Sequence, residues 1–278
     1  MADLLVGEDR PNSLQLGTQA VDRAYLGDTL VWPPAFDPLT ALSWHAVFWA
    51  DDPAWTPPAD GGAVSSWRDG SGNGRNATQG TGTNQPAYRA SEAALNGHAA
   101  VDFGNDDVLD TATWTGLDQW SLFMVAKYDG TAGRFFLGYS TSTAFASIRQ
   151  VGSDLRLRNP NTSPAVTYTQ NTTNPFLIWG TLRRTSPYTM RIGVNDATAT
   201  DTTGIVLVAC DFLRIGGRPN ATIDLTIDAR IGIVGLYPGD ITTDPAWISL
   251  KSWATDYYAI TTADPAGSGS FRYPSTID

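Results

Sequence analysis

The chain's 278 residues carry a net charge of −10, built from 26 Asp and 16 Arg with only two glutamates (Glu8, Glu92) and two lysines (Lys127, Lys251). Charged residues that favour helix interiors are therefore scarce, and the one that favours turns and caps is abundant. A chain 42% hydrophobic with 10 Trp, 10 Tyr and 10 Phe is too apolar to stay disordered. It has no basic tract of the kind a nucleic-acid binder needs, and no run approaching the ~18 apolar residues of a membrane span.

The first 35 residues contain a small repeat, Leu16-Gly17-Thr18-Gln19-Ala20-Val21 against Leu26-Gly27-Asp28-Thr29-Leu30-Val31, closed by Trp32-Pro33-Pro34. Their alternation suits short strands turned by the Leu-Gly pairs. A segment this short buries no core of its own, so it is expected to dock on something else, spaced stiffly by Pro33-Pro34. The phrase from Leu16 to Trp32 resembles a leader found at the start of minor tail proteins of tailed bacteriophages. An ordinary edge hairpin of the following domain is the alternative. The N-terminus lacks the basic and long apolar regions of a secretion signal, and Cys210 is the one cysteine. Folding in a reducing cytosol is expected, with Cys210 a small buried residue of the run 205–210.

From 40 to 110 the chain is rich in Trp and turns, and one stretch stands out: Trp67-Arg68-Asp69-Gly70-Ser71-Gly72-Asn73-Gly74-Arg75-Asn76-Ala77. Gly tolerates positive φ, and Asp, Ser and Asn side chains bond nearby backbone, so tight consecutive turns are expected, with Trp67 plugged into a core. Downstream follow Asn96-Gly97 and Val101-Asp102-Phe103-Gly104-Asn105-Asp106-Asp107. This series, with Ser121-Leu122-Phe123-Met124-Val125-Ala126-Lys127 and Leu213-Arg214-Ile215-Gly216-Gly217, resembles the laminin-G-like, concanavalin A-like lectin and glucanase superfamily over roughly 40–260.

Strand-like segments then recur at 121–128, 134–139, 154–158, 176–182, 188–194, 205–210 and 223–237. The expected fold is all-β, a two-sheet antiparallel jelly-roll sandwich, as the resemblance also implies. One helix is expected over 244–258, capped by Asp244, with Pro245 in the first turn and Trp247, Leu250, Trp253, Ala254 and Tyr257 as its apolar stripe. The division expected is an anchoring segment at 1–35, the sandwich at 36–262 and a flexible tail at 263–278.

Glycosidases of the resembled fold carry Glu-x-Asp-x-x-Glu on one strand, and neither glutamate of this chain sits in such a pattern. Asp224 and Asp228 are the best-spaced substitute carboxylates, though two solvated Asp on an outer strand face explain them as well. His45 and His98 stand without a His or Cys partner in sequence and read as structural. Asp69-Gly70-Ser71-Gly72-Asn73-Gly74 matches the front of a helix-loop-helix calcium loop, but position twelve is Gly80, so that site is excluded. The resemblance implies calcium at the sandwich rim as a possibility, with Asp106 and Asp107 as ligands; no other cofactor is expected.

A sugar site needs aromatic faces beside planar polar groups on loops. The densest combination is Asn105, Asp106, Asp107, Trp114 and Trp120, with Tyr128, Asp129 and Arg134 on the next turn. The alternative is that the tryptophans are core and the aspartates cap turns. The expectation is thus a non-enzymatic virion protein of a phage tail, assembled in the bacterial cytoplasm and homo-oligomeric in the particle. It would join other virion proteins through residues 1–35 and meet a host cell-surface glycan, with no nucleic acid and no membrane insertion. A capsid decoration protein, or a free lectin or glycosidase, are the alternatives.

Overall fold

The computed structural model describes residues 36–104, 106–128, 148, 157, 174–183, 189–195, 198, 210–217 and 228–260 with their side chains, and beyond these the strands named below. Four short strands lie in the first 35 residues, β1 (Gln15–Leu16), β2 (Gln19–Ala20), β3 (Ala24–Leu26) and β4 (Thr29–Trp32), paired β1 with β2 and β3 with β4. Then come β5 (Ala46–Trp49), β6 (Ser66–Trp67), β7 (Ala77–Thr78), β8 (Ala87–Glu92), β9 (His98–Phe103), β10 (Leu109–Asp110) and β11 (Gln119–Tyr128). They are followed by β12 (Ala132–Phe136), β13 (Ser147–Val151), β14 (Asp154–Arg158), β15 (Val166–Thr169) and β16 (Phe176–Arg183). The last are β17 (Thr189–Val194), β18 (Ala197–Asp201), β19 (Arg214–Ile215), β20 (Ala229–Tyr237) and one helix, α1 (Trp247–Tyr257).

The architecture is a two-layer antiparallel sandwich. One layer is an eight-stranded sheet ordered β18-β17-β16-β11-β20-β9-β8, in which β5 also pairs with β20, sharing that edge with β9. The other layer is made of two four-stranded pieces, β19-β10-β7-β6 and β12-β13-β14-β15. Strand alternation sorts the large sheet's side chains between two cores. Leu122, Met124, Ala126, Ile178, Leu182, Val234 and Leu236 enter the sandwich core with Trp67, Leu109, Ile148 and Leu157. Phe123, Val125, Leu177, Trp179 and Ile233 face outward into a second core with Trp247, Leu250, Ala254 and Tyr258. Burial on both faces is why β11 reads as one uninterrupted apolar run instead of an alternating one.

The helix begins three residues later than the sequence pattern suggests. Residues Ile241–Thr243 form a 3-10 turn, and Asp244, extended at φ −75°, closes that turn while its Oδ1 accepts from Ala246 N at 2.8 Å. Of the expected stripe, Trp247, Leu250 and Ala254 are buried; Trp253 and Tyr257 are only half-buried. Docking is permitted by a register shift where β20 passes β11 at Val125/Ala126. There Gly232 has no side chain, and a Cβ would meet the Tyr258 ring at 2.5 Å, so the ring packs flush on the strand.

Most expected strands are observed with small shifts of their ends. The strand expected at 134–139 runs Ala132–Phe136, and the one at 223–237 is described from Ala229. The rest of the segment expected at 205–210 lies outside the described residues, with Cys210 bridged to Leu117.

Candidate functional site

Asp69 organises the turn-rich loop after Trp67. Its carboxylate is buried and accepts three backbone N–H groups: Val47 at 3.0 Å and Ser71 at 2.9 Å on Oδ1, and Arg75 at 2.9 Å on Oδ2. Asn76 closes the loop by accepting from Asp69 N at 2.9 Å. Gly72 and Gly74 take φ of 81° and 71°, the left-handed turns that a Cβ would strain. These oxygens are spent on amides, which accounts physically for a sequence that looks like the front of a calcium loop.

The loop delivers two side chains to the same neighbour. Asn73 Nδ2 donates to the carbonyls of Trp44 and His45 at 3.0 and 3.1 Å, and Arg75 Nη1 donates to His45 O at 3.0 Å. The Arg75 guanidinium then lies 5.9 Å from the centre of the Trp114 ring. Trp114 is half-buried, pinned by its Nε1 to Cys210 O at 2.8 Å and by its backbone N–H to Asp211 O at 2.7 Å. The His45 ring meets it edge-on at 4.8 Å. Burial first, and the Arg75 charge second, lower the His45 pKa to about 4 against an opposing pull from Asp69. The result is a rigid, partly exposed indole flanked by a guanidinium and a neutral imidazole, an arrangement able to stack an apolar sugar face and bond its substituents.

The sequence-predicted residues do not converge on one place. Phe103, Ala229 and Tyr128 are partners across adjacent strands and mark one end of the large sheet; Ala46, Leu236 and Leu122 mark the other. Asp106 and Asp107 follow Phe103 at the first end, whereas Trp114 meets His45, next to Ala46, at the second. Trp120 and Tyr128 sit at opposite ends of β11, about 27 Å apart at ~3.4 Å per residue. Both are 1% exposed, so neither presents a ring to a ligand; they are core residues. Burial and the charge of Asp228 push the Tyr128 hydroxyl up to about 12.

Asp107 is a turn residue. It is half-buried, its Oδ2 accepts from Gly104 N at 2.7 Å, and burial raises its pKa against that bond. Asp106 is exposed at φ 73°, with its carbonyl accepting from Asn84 Nδ2 at 2.9 Å. Among the described residues, no group of three or more His, Cys, Asp or Glu is placed to hold a metal ion. Asn105, Asp129 and Asp224 lie outside the described residues, as does the side chain of Arg134 on β12; Asp228 is exposed. The sequence does not link Arg75 with His45, because their shared neighbour, Trp114, is far away in sequence. The only local signal was a cation at the end of a loop built of turn residues.

Glu92, which the sequence places outside the glycosidase pattern, is structurally committed: Oε2 lies 3.1 Å from Arg230 and Oε1 accepts from Ala94 N at 3.0 Å. Glu8 lies outside the described residues. Burial pushes the Cys210 thiol up, away from thiolate chemistry.

No family model matches the sequence, and no curated protein does. Solved structures with a similar fold include the receptor binding domain of botulinum neurotoxin type G, with a TM-score of 0.51 and 11% identity over 77% of this chain and 51% of that one. A mutant of HCR/D is similar at a TM-score of 0.52, with 8% identity over 76% of this chain and 51% of that one. Trypanosoma rangeli sialidase follows at 0.49, with 11% identity over 76% of this chain and 32% of that one. This chain spans about half or less of each of those chains. At such identities the likeness speaks to fold alone, and it agrees with the strand order: the chain is an all-β, two-sheet antiparallel jelly-roll sandwich with one C-terminal helix.

Proposed function

We propose that this chain is a minor tail protein of a tailed bacteriophage, whose sandwich holds a glycan of the host surface without cleaving it. The observation that carries glycan binding is the Trp114 ledge: a half-buried indole fixed at its Nε1, with the Arg75 guanidinium 5.9 Å over its ring and Asn73 on the same loop as Arg75. The tail assignment is supported by the Leu16–Trp32 phrase, whose paired strands suit attachment to other virion proteins in several copies. Binding without cleavage is supported by the sequence, in which neither glutamate sits in the Glu-x-Asp-x-x-Glu pattern of the glycosidases of the resembled fold. The botulinum domain named above is a receptor binding domain, a role compatible with this reading.

The test is co-sedimentation of the purified chain with host cell walls. Trp114→Ala is expected to weaken adhesion by about tenfold, the loss of ~1.4 kcal/mol of stacking. Asp107→Ala, at the other end of the sheet, is expected to leave adhesion unchanged. Equal adhesion of wild type and Trp114→Ala overturns the site.

A further inference from the structure

Among the arginines described, Arg68 pairs with Asp52, and Arg89 reaches Asp102 at 2.8 Å. Arg191 lies 3.7 Å from Asp240, Arg214 2.5 Å from Asp110, and Arg230 3.1 Å from Glu92. Arg75 differs. Among the described residues it has no carboxylate within ion-pair distance; its side-chain contacts are one backbone carbonyl and the Trp114 ring. The carboxylate closest to it in the loop, Asp69, has both oxygens occupied by backbone amides, including that of Arg75 itself. In a chain of net charge −10, where acids outnumber bases, a half-buried guanidinium with no counter-ion among the described residues, set against a half-buried indole, is suited to receive an anion.

We infer that the Trp114 ledge takes an acidic sugar, its ring on the indole and its carboxylate on the free donors of Arg75. This deepens the glycan-binding reading and rests on it. A planar carboxylate matches the guanidinium fork in two parallel hydrogen bonds, which a hydroxyl pair does not match in charge. The partly desolvated setting strengthens the attraction, and the field of Arg75 already contributes to keeping His45 neutral, so the imidazole does not compete for the anion.

The test is a glycan array carrying carboxylated, phosphorylated and neutral oligosaccharides, probed with the full chain, Arg75→Gln, Arg75→Lys and Trp114→Ala, each shown folded by its melting curve. Expected is retention on carboxylated glycans, reduced about tenfold or more in Arg75→Gln, partly kept in Arg75→Lys and reduced about tenfold in Trp114→Ala. Retention should also fall as salt rises. Binding confined to neutral or to phosphorylated glycans, or carboxylate binding unchanged in Arg75→Gln, overturns the acidic-sugar inference while leaving glycan binding standing. Absence of binding across the array overturns both. Should Arg75→Gln fail to fold, an Arg75→Lys variant with unaltered preference and unaltered salt dependence overturns the two-bond recognition.

Discussion

Asp69 and His45 show how much a single side chain carries. With three backbone amides on one buried carboxylate, removing it orphans the buried Val47 N–H and two half-buried ones, at about 1–3 kcal/mol for a buried unsatisfied group. Asp69→Ala is therefore expected to lower unfolding free energy by at least that, with Asp69→Asn losing less; urea melts measure both. His45 sets a pH dependence whose sign follows from its depressed pKa. Its unfolded pKa is near 6.5 and its folded pKa about 4, so between those values the unfolded chain binds more protons. Stability is whole above pH 6.5 and declines as the pH falls towards 4. Denaturant midpoints at pH 7.5 and 5 are expected to differ less in His45→Gln than in wild type; equal differences would show that other groups set the acid limb.

At the scale of elements, the helix is the joint that seals the outer face of the large sheet. Its buried side is Trp247, Leu250 and Ala254, while Trp253 joins a half-exposed aromatic group, stacked on Tyr257 at 5.0 Å and edge-on to Trp49 at 5.8 Å. Tyr257 in turn stacks on His98 at 3.6 Å and donates to Asp51 at 3.1 Å. Leu250→Ala is expected to cost about 2–5 kcal/mol, as buried leucines do. Trp253→Ala, with one side already in water, is expected to cost less, and thermal melts of the two variants give the order. The apolar stripe predicted all five positions. It did not rank them, because depth depends on what lies opposite each one.

For the whole molecule, the proposed division of labour has the first 35 residues attach and the sandwich recognise. Deleting residues 1–35 is expected to leave the sandwich's melting transition in place and abolish incorporation into particles, read by quantifying the chain in purified virions; normal incorporation would refute the anchor. Incubating the full chain with host wall polysaccharide is expected to release no reducing ends above background. Reducing ends that rise in proportion to protein would make it an enzyme.

By itself the sequence determined the fold class, many strand positions and the turn character of the Trp67 loop, because propensity, period and turn chemistry are local. The strand at 154–158 is observed at those residues, and 176–182 extends only to Arg183. Only the tertiary structure decided which tryptophans are core and which are half-buried. Trp114 and Trp120 are six residues apart and look alike in sequence, yet one lies on a rim against Arg75 and the other inside the sandwich. It also separated Asp107 from Trp114, since the chain between them crosses the layer from end to end through β10. It joined His45, Arg75 and Trp114, which no local pattern links, because strand pairing between β5 and β20 and the Asp69 loop's bond to Val47 bring them together only once the sheets are formed.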